Sequence, residues 1–496
     1  MLSAIVFLPL AAALLLTVPA VSDRVARWAW VAVAAADLGL VAVVWANFEE
    51  PPEGRLAFEE RLEWIPGVGA SYHIGVDGLS LPLVAMTTIV FLACAIYALR
   101  DEDRPRIQAA LFLFLQSVSL GVFVAADLIL FFVFFDLSIV GMYFVIAGWG
   151  HGATAGRSAL KFFLYTFLGS LALLLGFIGL YVSADTPTFD MVELAEMLPL
   201  QGEPVAGGAV LAAILIGLAV KTPTVPFHTW LPPAHTDAPA IGSAVLAGVL
   251  LKMGTYGFVR IAMPMLPEAW RAWAWPIIIV GVISVLYGAL VALAQQNLKR
   301  MVAYTSVNHM GYVVLAVGVA GLVSSGTEDA RRLAIVGAET QMVSHGLITA
   351  ALFLLVGVLR DRAGSYDLSG YGGLAAPAPR LTTLFAIGAF ASLGLPAFSG
   401  FIAEFQIFAG AIGTAPVTAV ALLGILLTAA MFLLALQRIF AGKTRGGSIG
   451  FRDLSAHELW SAGSLLALSL LIGVLPRVIL DVIEPAAATL AELVGR

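Results

Sequence analysis

Charged residues are scarce in this sequence. Asp, Glu, Lys and Arg make up 12% of its 496 residues, whereas a soluble domain carries about 25%. Hydrophobic residues make up 60%, and the mean hydropathy is +0.97. The net charge of −6 is spread over loops and gives no reason to expect nucleic acid as a partner. The chain is therefore predicted to be a polytopic membrane protein whose main surroundings are the lipid bilayer.

Cysteine is nearly absent, and its scarcity excludes several kinds of site. With Cys94 as the single cysteine, the chain cannot form an internal disulfide, a four-thiolate zinc site or a cysteine-ligated iron–sulfur cluster. His228, His235 and Asp237 lie close together in sequence, but in a proline-rich stretch without a fourth ligand. We therefore expect no metal site and no cofactor site within this chain.

Long apolar runs recur along the whole sequence. A bilayer core about 30 Å thick needs about 20 apolar residues per helix. The first run is interpreted as an uncleaved helix, because no Lys or Arg precedes it as in a signal peptide. Fourteen helices are predicted, at 3–20, 28–47, 77–98, 107–126, 128–148, 159–183, 209–222, 239–262, 273–294, 300–320, 332–358, 381–410, 416–440 and 458–480.

The loop charges indicate the orientation of these helices. One set of alternate loops holds 16 of the 26 Lys and Arg residues and the other set holds eight, so the first set is predicted to be cytoplasmic and both termini external. Residues 185–204 are predicted to be an external loop with a short amphipathic turn. Residues 47–75 are predicted to be a solvated external loop, with glutamates Glu49, Glu50, Glu53, Glu59, Glu60 and Glu63.

Two predicted helices contain an interruption. Pro223 and Pro226 follow Lys221 in the seventh, and Pro396 precedes Glu404 in the twelfth. Broken helices at corresponding positions of two halves are typical of the ion sites of transporters. The all-α fold is therefore predicted to contain two inverted five-helix repeats, helices 4–8 and 9–13. Residues 1–496 then form one transmembrane domain: helices 1–3 (1–106), a first repeat (107–262), a second repeat (273–440) and a C-terminal helix (441–496).

Ionisable residues inside apolar helices are the main functional signal. At a bilayer centre a charged side chain costs about 2.5–3.5 kcal/mol, so such residues usually lie on ion or proton pathways. A lysine with a nearby carboxylate would hold its proton while paired and release it once the pair opens. The predicted proton-transfer residues are Asp136, Lys221, Lys252, His309, His345 and Glu404.

Structural explanations of the same residues stay open. The lysines and carboxylates could form static buried ion pairs, although such pairs rarely repay their desolvation. His309 and His345 could be core histidines, with Gln341, four residues before His345, as a hydrogen-bonding partner. Glu339 also lies within the eleventh helix, and no role is assigned to it.

Three segments together resemble a known family. They are residues 219–257 (AVKTPTVPFHTWLPPAHTDAPAIGSAVLAGVLLKMGTYG), 287–313 (YGALVALAQQNLKRMVAYTSVNHMGYV) and 391–405 (ASLGLPAFSGFIAEF). The chain resembles the antiporter-like proton-pumping subunits of respiratory complex I. Within this family it is most similar to the chain M group of bacterial NADH–quinone oxidoreductases. Glu404 stands where related chains have lysine, and residues 344–359 (SHGLITAALFLLVGVL) match the pattern of that group. In addition, no long lateral helix is predicted after the fourteenth helix.

The resemblance implies fourteen helices and a proton path. Asp136 and Lys221 would form a switching ion pair, Lys252 and the histidines a relay, and Glu404 the terminal exchanger. Two positions depart from the family: Asp136 replaces the usual glutamate, and Asn297 replaces an acid.

The resemblance also implies the surroundings of the chain. NADH, FMN, iron–sulfur clusters and quinone would bind to partner subunits, and other antiporter-like and small subunits would be neighbours in a bacterial plasma membrane. Two other functions remain open, namely a subunit of an Mrp-type cation/proton antiporter and a purely structural spacer of the membrane arm.

Overall fold

The chain is a bundle of membrane-spanning helices. The computed structural model describes residues 1–52, 55–100 and 103–496. Within these ranges twelve helices are long and apolar enough to cross a bilayer, which confirms a multi-pass helical membrane protein. The helices are α1 (Leu2–Leu16), α2 (Asp23–Ala46), α3 (Leu81–Tyr97), α4 (Pro105–Val124), α5 (Leu128–Trp149), α6 (Ala155–Ser183), α7 (Met191–Met197), α8 (Pro204–Lys221), α9 (Leu231–Asp237), α10 (Ala240–Val245), α11 (Leu251–Gly257), α12 (Met263–Met265), α13 (Pro267–Ala272), α14 (Ala274–Leu293), α15 (Leu298–Ala320), α16 (Glu328–Ala363), α17 (Pro379–Ser392), α18 (Ser399–Thr414), α19 (Leu423–Phe440), α20 (Ala456–Val474) and α21 (Arg477–Gly495).

The centre of the bundle is formed by the helices that carry the predicted relay residues. Helices α15 and α16 are buried along their whole apolar length, whereas α2 is mostly exposed to the surroundings. Helix α16 packs against α15, α18, α20 and α21. Two π-helical segments, Leu246–Leu250 and Phe258–Ala262, join α10, α11 and α12 into one buried span. Charged side chains on these helices are therefore shielded from lipid.

Residues 57–76 form a β-hairpin, so the prediction of a solvated loop is wrong for this part of the chain. Strand β1 (Ala57–Ile65) pairs antiparallel with β2 (Ala70–Val76). The side chains of β2 are largely buried against the helices, while those of β1 are mostly exposed. The run of glutamates in β1 is typical of a solvated edge strand and hid the strand from the sequence prediction. Glu53 of the acidic stretch lies outside the described residues.

His73 fixes the hairpin to the loop before α7. Its Nδ1 lies 2.7 Å from Asp190 Oδ2 and its Nε2 lies 2.8 Å from Glu59 Oε1, and both His73 and Asp190 are buried. Burial acts to lower the pKa of His73, but the hydrogen bond and charge of Asp190 outweigh it and raise that pKa. The same pairing outweighs burial at Asp190 and lowers the pKa of its carboxyl. The contact is therefore a charge-assisted hydrogen bond.

The docking of the hairpin is expected to depend on pH. The His73 contribution is complete below the ordinary imidazole pKa of 6.5 and is lost as the pH rises through the raised value. The Asp190 contribution is complete above 3.8 and is lost as the pH falls through the lowered value. Amide exchange of β2, corrected for intrinsic rates, should show about 1 kcal/mol less protection at alkaline than at weakly acidic pH. His73→Gln should remove this difference; an unchanged difference would assign it to another group.

The C-terminal region contains two helices, whereas one was predicted. One helix was predicted at 458–480. In the structure α20 ends at Val474, and Pro476 lies between it and α21. The buried residues of α21 recur every three or four positions, so the helix is amphipathic and lies with one face on α13 and α16. It escaped prediction because its charged face lowers the hydropathy of the segment.

Candidate functional site

Lys252 and His345 are in direct contact at the centre of the bundle. Lys252 Nζ lies 2.6 Å from His345 Nδ1 and donates a hydrogen bond of 2.5 Å to the Ala247 carbonyl oxygen. Both side chains are buried. Ala247 belongs to the π-helical segment before α11, and π segments are frequent at functional sites because they redirect backbone groups. The lysine from α11 and the histidine from α16 thus form one hydrogen-bonded unit.

His309 continues this unit towards Glu404. The rings of His309 and His345 are 5.4 Å apart between centroids, in an edge-to-face arrangement. His309 Nε2 donates to the Ser392 carbonyl at 3.0 Å and lies 3.7 Å from Glu404 Oε1. Lys252, His345, His309 and Glu404 therefore follow one another as neighbours, and the structure brings four of the six predicted residues together.

The interruption between α17 and α18 makes this arrangement possible. Helix α17 ends at Ser392, so no N–H group of a following helical turn donates a hydrogen bond to the Ser392 carbonyl. This carbonyl is therefore available to accept from His309. Gly394 follows with a φ of +75°, a conformation that favours glycine. A Cβ atom at Gly394 would lie 2.5 Å from Glu404 Oε2. Pro396 lies in the same connection, so the break supplies both an acceptor for His309 and room for the Glu404 carboxylate.

A small polar cavity adjoins the chain of side chains. It has a volume of about 10 Å³, and its lining includes His309, Gln341, Ser344, His345 and Glu404. A cavity needs about 10–15 Å³ to hold one water, together with polar partners. The space therefore fits a single bridging water between the histidines and the carboxylate.

Lys221 and Asp136 do not form the direct ion pair that the sequence predicts. Lys221 ends α8, immediately before the segment that holds Pro223 and Pro226. Its Nζ donates to Ser138 Oγ at 2.9 Å and lies 4.6 Å from the centroid of the Phe135 ring.

Asp136 lies in α5, two residues before Ser138. Asp136 is half-buried, with Oδ1 unpartnered. An aspartate side chain is one methylene shorter than the glutamate that the resemblance implies for this position.

Gln341 is not the partner of His345. The buried Oε1 of Gln341 has no hydrogen-bond partner, and the contact of His345 Nδ1 is with Lys252. Residues four apart share a helix face, but the lysine from the neighbouring helix reaches the imidazole instead. The hydrogen-bonding partner of His345 is therefore an ionisable residue of α11 and not a residue of its own helix.

Two further buried ionisable groups were missed in the sequence. Lys299, interpreted as a loop residue, is buried, donates to the Ala238 carbonyl and faces the Tyr366 ring. His235, interpreted as part of a proline-rich loop, is buried in α9, stacks on Phe353 at 4.6 Å between centroids, and has both ring nitrogens unpartnered. The flanking charges and prolines masked their burial.

The ionisable groups fall within a segment that matches a known family. Residues 125–433 match the family described as NADH:quinone oxidoreductase/Mrp antiporter, TM, and this range contains all six predicted proton-transfer residues. The chain belongs to this family. It is 40% identical over 431 residues to NADH-quinone oxidoreductase subunit M of Rickettsia prowazekii, covering 86% of this chain and 84% of the relative. It is also 38% identical to F(420)H(2) dehydrogenase subunit M of Methanosarcina mazei, over 90% of this chain and 89% of that protein.

Two solved structures have the same fold as this chain over its full length. A chain of respiratory complex I from Thermus thermophilus superposes with a TM-score of 0.89 and 30% identity, covering 100% of both chains. A chain of the Mrp complex from Dietzia sp. superposes with a TM-score of 0.86 and 22% identity, covering 100% of this chain and 99% of the other. The second likeness concerns the fold alone.

Proposed function

We propose that this chain is a proton-translocating subunit of the membrane arm of an NADH–quinone oxidoreductase. The observation that carries the proposal is the series Lys252, His345, His309 and Glu404, whose members are neighbours within a buried core. A static ion pair would need only two such groups, whereas a relay needs several in sequence. The relatives named as subunit M of NADH-quinone oxidoreductase support the same assignment.

The residues take different roles in this proposal. Asp136 and Lys221 form the switch, which closes only when the two side chains approach each other. Lys252, His345 and His309 pass the proton, and Glu404 exchanges it at the end of the series. Moving one charge against 100 mV takes about 2.3 kcal/mol, and one pKa unit corresponds to about 1.4 kcal/mol. Small changes in ion pairing therefore suffice to drive each step.

The redox chemistry belongs to partner subunits. NADH, FMN, iron–sulfur clusters and quinone bind elsewhere in the complex, and the energy of quinone reduction reaches this chain through its neighbours. Those neighbours are other antiporter-like and small membrane-arm subunits. The complex resides in a bacterial plasma (inner) membrane, with both termini of this chain on the outer side.

The topology in this proposal has fourteen crossings. Helix α1 supplies one crossing beyond the twelve long helices, and α17 with α18 supplies another as a broken helix. The breaks after Lys221 and after Ser392 then lie at corresponding positions of two inverted five-helix repeats. Such symmetry gives the path one broken helix from each repeat.

Replacing Lys221 tests the assignment. In membranes containing the complete complex, Lys221→Ala should leave electron transfer from NADH to a soluble artificial acceptor intact. Quinone-coupled proton translocation should fall at least about tenfold, since a positioned proton-transfer group contributes about 10²–10⁴-fold. Lys161→Ala, at an exposed lysine that donates to Thr229, is the matched control and should pump normally. Normal pumping by both variants would refute the proposal and favour the spacer.

A role in an Mrp-type cation/proton antiporter is the second candidate. It is favoured by the family, whose description includes the Mrp antiporter, and by the shared fold. An exchanger requires a metal cation on the opposite side, whereas a pump does not. Proton translocation that persists when all sodium is replaced by choline supports the pump, and strict sodium dependence supports the exchanger.

A further inference from the structure

Glu339 is a buried carboxyl group that the proposed path does not use. It lies in α16, is 1% exposed, and neither of its oxygens has a hydrogen-bond partner. An ionised carboxylate in such surroundings is costly unless a cation, a donor or a water compensates it. Among described residues, the chain offers it no direct donor, so the carboxyl group holds either a proton or a water.

Glu339 lies between the central relay and the side of the molecule that carries the hairpin. It precedes His345 by six residues on α16, about 9 Å along the helix axis. Gln341, whose buried Oε1 is also unpartnered, lies between the two along the helix. Helix α16 therefore carries polar side chains from His345 of the relay, past Gln341, to Glu339.

An ion pair lies beyond Glu339 on the same side. Arg260 donates to Asp77 Oδ1 at 2.6 Å and to the Tyr256 hydroxyl at 2.7 Å. Glu339 lies within electrostatic range of both Asp77 and Arg260. Lys252, Tyr256 and Arg260 recur at intervals of four residues, so this cluster extends from the relay lysine along its own span.

The ion pair borders a cavity that reaches the surface. The cavity has a volume of about 140 Å³ and is lined by Glu50, Asp77 and Arg260 together with exposed Arg55 and residues of α21. Burial, and then the neighbouring Asp77 carboxylate, raise the pKa of Glu50 to about 7. Glu50 can therefore take up and release protons near neutral pH at the mouth of the bundle.

We infer that Glu339 is a proton-transfer site that connects the central relay with the cavity at Glu50, through water beside the Arg260–Asp77 pair. A proton leaves the Glu339 carboxyl for water, reaches the Glu50 carboxylate and is released from it, and Glu339 is protonated again from the relay. This inference rests on the proposed function and adds a second branch, which leaves the relay on the side of the hairpin and is separate from the exchange at Glu404. Arg260 holds the Asp77 carboxylate in place through its hydrogen bond to Oδ1.

The test uses the complete complex in liposomes and three variants of this chain. Glu339→Gln keeps the size of the side chain but cannot carry a proton, and Glu339→Asp keeps the carboxyl group. Thr340→Val is the matched control, because the Thr340 hydroxyl is buried one residue away but donates only to Val336 of its own helix. Quinone-coupled proton translocation is measured beside electron transfer to an artificial acceptor, and infrared difference spectra record the carboxyl C=O band during turnover.

Glu339→Gln should lower translocation about tenfold while the acceptor reaction and assembly stay normal. Glu339→Asp should restore part of it, Thr340→Val should match the unmodified chain, and Glu339→Gln should remove a carboxyl band that responds to turnover. Normal translocation by Glu339→Gln, with Lys252→Met inactive, overturns the second branch but leaves the proposed function standing. Equal losses in Glu339→Gln and Thr340→Val, with no band removed, would show a structural role and overturn the inference. Normal translocation by Lys252→Met would refute the proposed function itself.

Discussion

Lys252→Met should stop proton translocation and leave the complex assembled. Methionine has nearly the length and volume of the lysine stem, so the packing around α11 should hold with a cost below about 1.5 kcal/mol. The substitution removes the side-chain nitrogen, Nζ, that lies between the Ala247 carbonyl and His345 Nδ1. Translocation through this chain is expected to fall at least about tenfold. The measurement is the rate of quinone-coupled acidification in liposomes, normalised to acceptor activity.

The neighbouring residue provides the control for this change. Met253 is buried and carries no titratable group, so Met253→Leu alters packing at the same depth without removing a proton carrier. We expect Met253→Leu to translocate normally. If both variants lose translocation equally, the loss comes from packing. If Lys252→Met translocates normally, Lys252 lies outside the path and the proposed function is refuted.

The broken helices were predictable because their cause is local. Proline removes a backbone donor and clashes with the preceding turn, so Pro223 and Pro396 mark connections that any surrounding fold must accommodate. The hairpin was not predictable in this way. The glutamates of β1 are typical of a solvated loop, and β2 is stabilised by contacts such as His73 with Asp190, which lies more than a hundred residues away.

The members of the candidate site were visible in the sequence, but their contacts were not. A charge in an apolar run is conspicuous whatever it touches, which is why Lys252 and Glu404 could be singled out. That His345 meets Lys252 rather than Gln341 depends on how α11 lies against α16, and this is set by packing between distant segments. Lys299 was overlooked because it lies at a helix end, where a lysine usually reaches water.

Asp136→Glu should maintain or increase translocation, whereas Asp136→Asn should lower it at least about tenfold. In the structure Lys221 donates to Ser138 and no ion pair joins it to Asp136, which corresponds to the open form of the proposed switch. A glutamate adds one methylene, and we expect this to bring the carboxylate closer to the lysine. Asparagine keeps the shape but has no charge with which to hold the proton on Lys221.

Ser138→Ala separates charge from positioning in this experiment. It removes the hydroxyl that accepts from Lys221 but leaves both the lysine and the carboxyl group in place, so translocation should change far less than in Asp136→Asn. A large loss in Ser138→Ala with a normal Asp136→Asn would make the hydroxyl the partner that matters and discard the switch. Loss in Asp136→Glu as well as in Asp136→Asn would mean that the side-chain length of aspartate is itself required. In that case a bound water, placed by the shorter side chain, carries the contact between Asp136 and Lys221.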